Sequence, residues 1–190
     1  MSCIEDMMLT SPTPKRNPQG TDLRPESGVD MTAKIPLSTA DLCDEHGNEI
    51  DVCDTQLRQY GGRRTFSGAV VTLLCYEDNL LLKQVISEPG EGRVIVVDTT
   101  GSVRVAMLGD NMAMRAASNG WAGIVINGAV RDAAPLGTLP LGIKARGTNP
   151  RRSLKEGRGQ RDVPVSFGGC TFLPGSTLVS DDDGIVVLRS

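Results

Sequence analysis

Two short segments carry the residues best suited to chemistry, residues 109–112 (Gly-Asp-Asn-Met) and residues 128–132 (Gly-Ala-Val-Arg-Asp). Asp110 stands where the N-cap of a helix belongs, and the free N–H groups of a helix start beside a glycine can bind an anion. Arg131 offers a planar guanidinium to a carboxylate or enolate oxygen, and Asp132 is a hard oxygen ligand for Mg²⁺ or Mn²⁺. These residue types are suited to hold a small anion beside a metal ion.

The elements around the two segments predict that they meet. Residues 93–98 and 121–126 read as buried strands, and the apolar spacing between them predicts a helix that stops at Asn119-Gly120. In such a strand–helix–strand unit, the helix start and the carboxyl end of the second strand lie at the same edge of the sheet. Gly109 and Arg131 should therefore be neighbours in space. An ordinary capped helix and a solvated Arg-Asp pair remain the alternatives.

The other predicted elements give an α/β domain with a β-rich C-terminal third. A helix capped by Ser38 or Thr39 is followed by a strand over residues 66–75 and by a helix that Glu77 and Asp78 open and that runs through Ser87. Turns that contain glycine, proline or aspartate separate the short strands that come later. These strands are predicted at residues 142–146, 163–167, 170–173, 177–179 and 185–188.

Composition limits the class of protein. The 190 residues accommodate one domain, predicted at residues 35–190, behind a disordered extension of residues 1–34 that is rich in Pro, Ser, Thr and charge. The net charge of -3 argues against a general nucleic-acid binder, and no apolar run is long enough to cross a bilayer. The five cysteines are odd in number and form no Cys-x-x-Cys pair, so a cytoplasmic, reducing setting is expected.

Further features support weaker hypotheses. Lys144 allows a Schiff-base mechanism, because a buried lysine can have a lowered pKa. A methyltransferase or dehydrogenase would need a glycine-rich turn after a strand, but Thr-Thr-Gly-Ser follows Asp98. Residues 181–184 (Asp-Asp-Asp-Gly) predict a hairpin turn rather than a calcium loop. A cationic run could rim a site for an acidic substrate or contact RNA, although a solvated loop is the simpler interpretation. It comprises Arg146, Arg151, Arg152, Lys155, Arg158 and Arg161.

Several motifs together resemble one protein family. They are residues 109–112, residues 128–132, Val163-Pro164-Val165 with Gly168-Gly169, and Pro174-Gly175 through Asp182-Asp183-Gly184. They occur in the family's order and with similar spacings, from about Ser38 to Leu188. The family contains the regulator of ribonuclease activity A and the class II 4-hydroxy-4-methyl-2-oxoglutarate aldolases.

The resemblance implies an α/β/α swivelling (phosphohistidine-domain-like) fold that assembles into a homotrimer or a dimer of trimers, with active sites near subunit interfaces. It also implies a divalent Mg²⁺ or Mn²⁺ that holds a 2-oxo acid. The expected reactions are cleavage of 4-hydroxy-4-methyl-2-oxoglutarate to pyruvate and decarboxylation of oxaloacetate, which pass through the same enolate. Neither a membrane nor a direct contact with nucleic acid is expected.

The resemblance also assigns roles to residues. Arg131 would contact the carbonyl oxygen of the substrate and stabilise the enolate, Asp132 would ligate the metal, and Asp110 would hold a water molecule of the metal's shell. Backbone amides would bind the pyruvyl carboxylate. These amides belong to Gly109, Asp110, Asn111 and Met112.

The same family includes proteins that bind and inhibit ribonuclease E without aldolase activity, which gives the alternative of a non-catalytic regulator with a ribonuclease partner. The carboxylate of Asp132 favours the enzyme, because the regulators lack it. Two departures leave the proton donor unassigned. Pro135 stands where many members carry an acid, and the sequence ends at Ser190 without the extension that lends a carboxylate to a neighbouring subunit in longer aldolases.

Overall fold

A mixed sheet of ten strands runs through the domain in the computed structural model, which describes residues 38–188. The helices are α1 (Thr39–His46), α2 (Leu80–Val85), α3 (Asp110–Ser118) and α4 (Ala133–Leu136). The strands are β1 (Ile50–Val52), β2 (Arg58–Gln59), β3 (Phe66–Leu74), β4 (Val94–Asp98), β5 (Ala106–Leu108), β6 (Gly123–Val130), β7 (Gly142–Thr148), β8 (Gln160–Arg161), β9 (Val165–Phe167), β10 (Cys170–Phe172), β11 (Thr177–Ser180) and β12 (Ile185–Leu188). The predicted disordered extension, residues 1–34, lies outside the described residues.

Parallel strands occupy the centre of the sheet. The neighbours β3, β4, β6 and β7 run parallel, and β5 pairs with the end of β6 beyond the last residue pair of β4 and β6. Antiparallel strands extend the sheet on both sides, β11, β12 and β1 beside β3, and β2 beside β7. This arrangement places the carboxyl ends of β5 and β6 next to each other.

Apolar side chains cover both faces of the central strands. Helices α2, α3 and α4 pack on one face through Leu82, Ala113 and Leu136, which are fully buried. The hairpin of β9 and β10 packs on the other face, where the rings of Phe167 and Phe172 stack with their centroids 4.6 Å apart. Helix α1 packs against β12. None of the described helices is long and apolar enough to span a membrane.

The predicted class is confirmed, since the domain is a single mixed α/β unit with a β-rich C-terminal third. Helix α1 begins where expected, with Ser38 Oγ accepting the N–H of Asp41 at 3.4 Å. Helix α3 ends at Ser118 with Asn119 as its C-cap, and Gly120 follows with a φ of 79°. Residues 181–184 form the hairpin turn between β11 and β12, where the N–H of Asp181 donates to the carbonyl of Gly184 at 3.2 Å.

The prediction of a helix that Glu77 and Asp78 open and that runs through Ser87 is wrong in its bounds. Helix α2 begins only at Leu80, because Glu77 has a left-handed φ of 53°. The buried carboxylate of Asp78 instead accepts N–H groups from Leu80 at 2.9 Å and from the distant Glu156 at 2.7 Å. Asp78 thus connects two segments of the chain. Strands β1, β2, β5 and β8 are not predicted, because such short strands depend on their partners.

Candidate functional site

Strand β5 brings the two predicted segments together. Leu108 of β5 pairs with Val130 of β6, and the N–H of Arg131 donates to the carbonyl of Leu108 at 2.9 Å. Gly109 follows β5 directly and therefore lies beside Arg131, which follows β6. The predicted convergence is present in the fold, although a strand that the sequence did not predict helps to produce it.

Gly109 leaves space that side chains of the second segment fill. A Cβ atom at this position would lie 2.7 Å from Asp132 Oδ2 and 3.1 Å from Arg131 Nε. The φ of Gly109 is -133°, which any residue adopts. The glycine is needed for the close approach of these side chains and not for backbone freedom.

Asp110 is not the N-cap that the sequence predicts. Gly109 occupies the cap position, and Asp110 is the first residue of α3. The carboxylate of Asp110 turns back on the helix start, where its Oδ1 accepts the N–H of Asn111 at 2.6 Å. The N–H of Asp110 itself lies 3.4 Å from Asp132 Oδ2. The first turn of α3 therefore directs N–H groups at carboxylate oxygens, which is the behaviour of an anion-binding helix start.

Asp132 adopts a left-handed conformation, with φ 59° and ψ 42°, at the start of α4. Most residues are strained in this region, whereas Asp and Asn tolerate it. The carboxylate Oδ2 lies 3.2 Å from Arg131 Nε, and the two side chains are 34% and 26% exposed. The ion pair is therefore accessible to a ligand.

A cavity of about 240 Å³ opens beside these residues. The residues predicted to bind substrate line it, and they are Gly109, Asp110, Asn111, Met112 and Arg131. Asp132, the predicted metal ligand, is not among the residues that line the cavity, but it pairs with Arg131, which does line it. Other lining residues come from distant parts of the chain, and they are Asn79, Lys83, Ala106, Leu108, Arg152, Ser153 and Lys155.

The loop after β7 reaches the cavity because its main chain is bound to the connection between β3 and α2. The N–H of Leu154 donates to the carbonyl of Glu77 at 2.8 Å, and the N–H of Asn79 donates to the carbonyl of Leu154 at 3.1 Å. Burial by itself would raise the pKa of Asp78, but the backbone N–H groups that it accepts hold this pKa below its ordinary value of 3.8. The ionised carboxylate of Asp78 thus holds the loop against the cavity.

The cavity lining carries more positive than negative charge. Lys83, Arg131, Arg152 and Lys155 face the single carboxylate of Asp110. Within residues 38–188, only Arg131 of these four cations forms an ion pair, with the neighbouring Asp132. Three cations that pair with no acidic side chain among the described residues favour a ligand with more than one negative charge.

Two buried oxygen atoms of the lining have no hydrogen-bond partner in the described part of the chain. They are Asn79 Oδ1 and Ser153 Oγ, in residues that are each 8% exposed. Buried polar atoms without a partner are rare and costly in folded proteins. Sequence reasoning missed both residues, because nothing in their local sequence places them at the cavity.

The cationic run divides between the site and the surface. Only Arg152 and Lys155 of the run line the cavity. Arg158 pairs with Glu156 at 2.7 Å, and Arg161 makes a bidentate pair with a glutamate that precedes β4, Glu88, at 2.7 and 3.0 Å. The solvated-loop interpretation therefore holds for part of the run only.

Lys144 is buried, as the Schiff-base hypothesis requires, but it does not line this cavity. It is 3% exposed and lines a separate pocket of about 50 Å³ with Cys53 and Asp182. Burial lowers its pKa from the ordinary value of 10.5, and the carboxylates of Asp181 and Asp182 oppose the shift. The structure thus separates Lys144 from Arg131 and Asp132.

The site residues fit a divalent ion that keeps most of its water. Among the described residues, no group of three or more His, Cys, Asp or Glu side chains could hold a metal ion. Mg²⁺ seldom needs such a group, because it is usually bound through one or two carboxylates, waters and the substrate. Asp132 would be one such carboxylate, and its Oδ2 lies 3.4 Å from the backbone nitrogen of Asp110.

The fold and the cavity define a known class of protein. The family model for RraA-like proteins, described as Aldolase/RraA, matches residues 39–187, and the chain belongs to this family. The family includes aldolase-type enzymes as well as ribonuclease inhibitors.

Solved structures of relatives share this fold. A structure from Geobacillus kaustophilus HTA426, described as an S-adenosylmethionine:2-dimethylmenaquinone methyltransferase, is 45% identical, covers 81% of this chain and 96% of its own, and has a TM-score of 0.80. The RNA-processing inhibitor RraA from Thermus thermophilis is 44% identical, covers 81% and 93%, and has a TM-score of 0.78. RraAS2 from Streptomyces coelicolor, described as an unusual member of the RNase ES inhibitor RraA family, is 30% identical, covers 80% of each chain, and has a TM-score of 0.67.

Proposed function

We propose that this protein is a divalent-metal-dependent lyase that cleaves 4-hydroxy-4-methyl-2-oxoglutarate-type 2-oxo acids to pyruvate and decarboxylates oxaloacetate. The observation that carries the proposal is the close approach of Arg131 and Asp132 to Gly109, beside a cationic cavity that Gly109 and Arg131 line. A 2-oxo acid needs an anion site for its carboxylate and a cation at its carbonyl oxygen. This cavity offers both, next to a carboxylate suited to a metal ion.

The residues would act on the substrate as follows. The 1-carboxylate binds at the start of α3, where it would replace Asp110 Oδ1 as the acceptor for the N–H of Asn111, and the guanidinium of Arg131 binds the 2-oxo oxygen. As the hydroxyl proton leaves to water, the bond between C3 and C4 breaks, and its electrons move to the 2-oxo oxygen that Arg131 contacts. The pyruvate enolate then takes a proton at C3 from water, and the other fragment leaves as a second pyruvate. Oxaloacetate loses CO₂ and gives the same enolate.

Charge stabilisation is the main contribution that this chain makes to such a reaction. Hydrogen-bond donors and cations aimed at a developing oxyanion commonly account for about two to three orders of magnitude in rate. The carboxylate of Asp132 would hold Mg²⁺ or Mn²⁺, and Asp110 would accept hydrogen bonds from the ion's water. The bound ion supplies Lewis-acid stabilisation of the enolate charge.

The test is release of pyruvate by the full chain from 4-hydroxy-4-methyl-2-oxoglutarate and from oxaloacetate, with Mg²⁺ or Mn²⁺ added. Activity is expected to vanish with EDTA and to return when the metal is restored. Because oxaloacetate also decarboxylates slowly on free metal ions, a reaction with metal and without protein is the required control. Absence of protein-dependent pyruvate release, or activity that EDTA leaves intact, would overturn the proposal.

A second candidate function is that of a non-catalytic regulator of a ribonuclease E-type enzyme. The similarity to the Thermus RNA-processing inhibitor supports it. The expected result is stoichiometric capture of a purified ribonuclease E-type protein and slower cleavage of a short RNA. Neither effect should depend on added metal at the Asp132 site, which separates this function from the lyase.

A methyltransferase activity, suggested by the name of the Geobacillus relative, has little support in the residues of this chain. The turn after β4 contains no glycine-rich phosphate loop, and its own side chains fill it. Asp98 Oδ1 accepts the N–H of Thr100 at 2.8 Å and the side-chain amide of Asn127 at 2.7 Å. Thr99 Oγ1 donates to the carbonyl of Asn127 at 2.7 Å.

A further inference from the structure

We propose that Lys144 forms a Schiff base with small uncharged aldehydes inside the pocket that it lines together with Asp182 and Asp183. This site is separate from the cavity that Gly109 and Arg131 line, and the inference does not depend on the lyase function. The carbonyl compounds also differ, because two carboxylates at the pocket disfavour anionic 2-oxo acids.

Segments that are distant in sequence enclose the pocket, whose volume is about 50 Å³. Lys144 comes from β7, residues 53 and 55–57 follow β1, and residues 182–185 form the turn into β12 together with its first residue. A water molecule needs about 10–15 Å³ of such space, so the pocket has room for a group of two or three non-hydrogen atoms. An aldehyde of that size fits it.

The amino group of Lys144 lacks a partner in the described part of the chain. The residue is 3% exposed, yet within residues 38–188 it donates no hydrogen bond and forms no ion pair. Its Nζ is not among the buried polar atoms that lack both a partner and contact with solvent, whereas Oε1 of Gln59, its neighbour on β2, is one of them. Nζ therefore keeps contact with solvent, and the pocket that Lys144 lines is the place where a small molecule would meet it.

The charges around the pocket determine the state of this amine. Burial lowers the pKa of Lys144, Asp181, Asp182 and Asp183 raise it, and Arg64 lowers it. Burial has the largest effect, so the neutral, nucleophilic amine is more abundant here than at an exposed lysine. The same three carboxylates would stabilise the positive charge of a protonated Schiff base.

Asp183 is the carboxylate best placed to exchange protons with the amine. Asp181 accepts the N–H and the hydroxyl group of Thr39, each at 2.7 Å, and Asp182 pairs with Arg64 at 2.8 Å. Asp183 also lines the pocket, and it pairs with no cationic side chain among the described residues. It therefore keeps its acceptor oxygens for a proton or for a ligand.

The reaction needs no oxidant, reductant or further cofactor. The lone pair of Nζ attacks the carbonyl carbon, a C–N bond forms, and the electrons of the broken C=O π bond move to the oxygen. Nitrogen gives one proton to that oxygen through Asp183, which yields a carbinolamine. With a second proton from solvent, the hydroxyl group leaves as water while the nitrogen lone pair forms the C=N bond. One amine, one aldehyde and one proton thus give one iminium ion and one water.

The test is reductive trapping of the full chain with acetaldehyde and cyanoborohydride at neutral pH, followed by peptide mapping with mass spectrometry. Lys83 and Lys155 are exposed and serve as references in the same reaction. We expect N-ethylation of Lys144 to be severalfold faster than that of the references. In urea, where every lysine is exposed, the preference should disappear.

Glyoxylate tests the charge selectivity of the pocket. It is an aldehyde that carries a carboxylate, so it should label Lys144 severalfold more slowly than acetaldehyde does, relative to Lys83 and Lys155. Asp183→Asn should raise the ratio of glyoxylate to acetaldehyde labelling at Lys144 severalfold. Because both reagents meet the same amine, this ratio is independent of any change in the pKa of Lys144. Asp44→Asn on the exposed face of α1 is the matched control and should leave the ratio unchanged.

Several outcomes would contradict the proposal. Labelling of Lys144 that is slower than that of Lys83 and Lys155 in the folded protein, and equal to it in urea, would show that the pocket does not admit an aldehyde, and would overturn the Schiff base. Equal labelling of Lys144 by glyoxylate and acetaldehyde, or a ratio that Asp183→Asn leaves unchanged, would overturn the selection by charge. None of these measurements uses pyruvate release, so failure of the lyase function would leave them interpretable.

Discussion

The backbone nitrogen of Asp110 lies 3.4 Å from the carboxylate Oδ2 of Asp132. This contact joins the start of α3 to the residue that follows β6 and Arg131. Because one carboxylate oxygen faces both an N–H group and the Arg131 guanidinium, a change at Asp132 reaches every part of the proposed pyruvyl site. Substitutions at this contact can therefore test the proposed function with little effect on the fold.

Asp132→Asn should abolish lyase activity and leave the fold intact. Asn tolerates the left-handed conformation of residue 132 as Asp does, and the partly exposed pair with Arg131 contributes at most about 1 kcal/mol to the free energy of unfolding. Loss of the charge should lower kcat/KM about a hundredfold or more. Pyruvate release and urea unfolding measure the two effects. A variant that retained full metal-dependent activity would contradict the role of Asp132 as metal ligand.

Gly109→Ala should also lower activity at little cost in stability. The added Cβ would come 2.7 Å from Asp132 Oδ2 and 3.1 Å from Arg131 Nε, so both partly exposed side chains must move. A displacement of about 1 Å in a catalytic group can cost about a hundredfold in rate. Gly147→Ala is the control, because its Cβ would meet no atom within 4 Å and should change nothing. Equal kcat/KM for the two variants would show that the close approach at Gly109 is irrelevant to activity.

Asp78→Asn should destabilise the protein and change how its free energy of unfolding depends on pH in the acid range. The pKa of Asp78 is held below its ordinary value of 3.8 in the folded chain. The carboxylate therefore contributes fully to the free energy of unfolding above pH 3.8, and this contribution is lost as the pH falls through the pKa of the folded state. The amide cannot accept all the backbone N–H groups that the carboxylate accepts. The free energy of unfolding should fall by about 1–3 kcal/mol at neutral pH, and less at acid pH.

Urea unfolding over a range of pH measures this effect, with Glu45→Gln on α1 as an exposed carboxylate control. The substrate KM of Asp78→Asn should also rise, because the loop with Arg152 and Lys155 loses an attachment. A parallel loss of stability at every pH would refute the assigned ionisation of Asp78 in the folded state.

Lys144→Met should leave activity unchanged and preserve or increase stability. Lys144 is buried with a lowered pKa, so a side chain of similar length without charge avoids the burial of an ammonium group. In the wild type, the unfolded chain keeps its Lys144 proton up to the ordinary pKa of 10.5, so this lysine makes stability rise as the pH approaches that value. The variant should lack this rise.

Borohydride reduction in the presence of pyruvate tests the same residue chemically. A class II mechanism gives no covalent adduct, and mass spectrometry of the treated protein should show none at Lys144. A reduced adduct at Lys144, together with activity in EDTA, would instead support the Schiff-base mechanism.

The sequence was sufficient for those parts of the site that depend on topology. The approach of Gly109 to Arg131 was predicted from a strand, a helix and a strand, although the unpredicted β5 is the strand that holds Gly109 beside Arg131. The role of Asp110 was harder to predict, because cap position and first helical position differ by one residue and both suit an aspartate. Whether Asp110 is the N-cap or the first residue of the helix depends on the position of Asp132, which only the tertiary structure determines.

The sequence did not predict the side of the cavity that Asn79 and Ser153 line. Asn79 and Ser153 reach the site because Asp78 accepts N–H groups of Glu156 and Arg158, which are 78 and 80 residues away in the chain. A buried aspartate with long-range backbone contacts has the same local sequence signature as an aspartate that opens a helix. The sequence therefore predicted a longer helix there, where the fold has an attachment point for the loop.

The attachment at Asp78 has a consequence for how substrate preference can evolve. The loop is held by main-chain atoms of Leu154, Glu156 and Arg158, which any residue but proline provides with its N–H group. Its side chains can therefore be exchanged without disturbing the sheet or the pyruvyl site. Under the proposed lyase function, such exchanges would change the residues that line one side of the cavity while the segment with Gly109 and the segment with Arg131 stay in place.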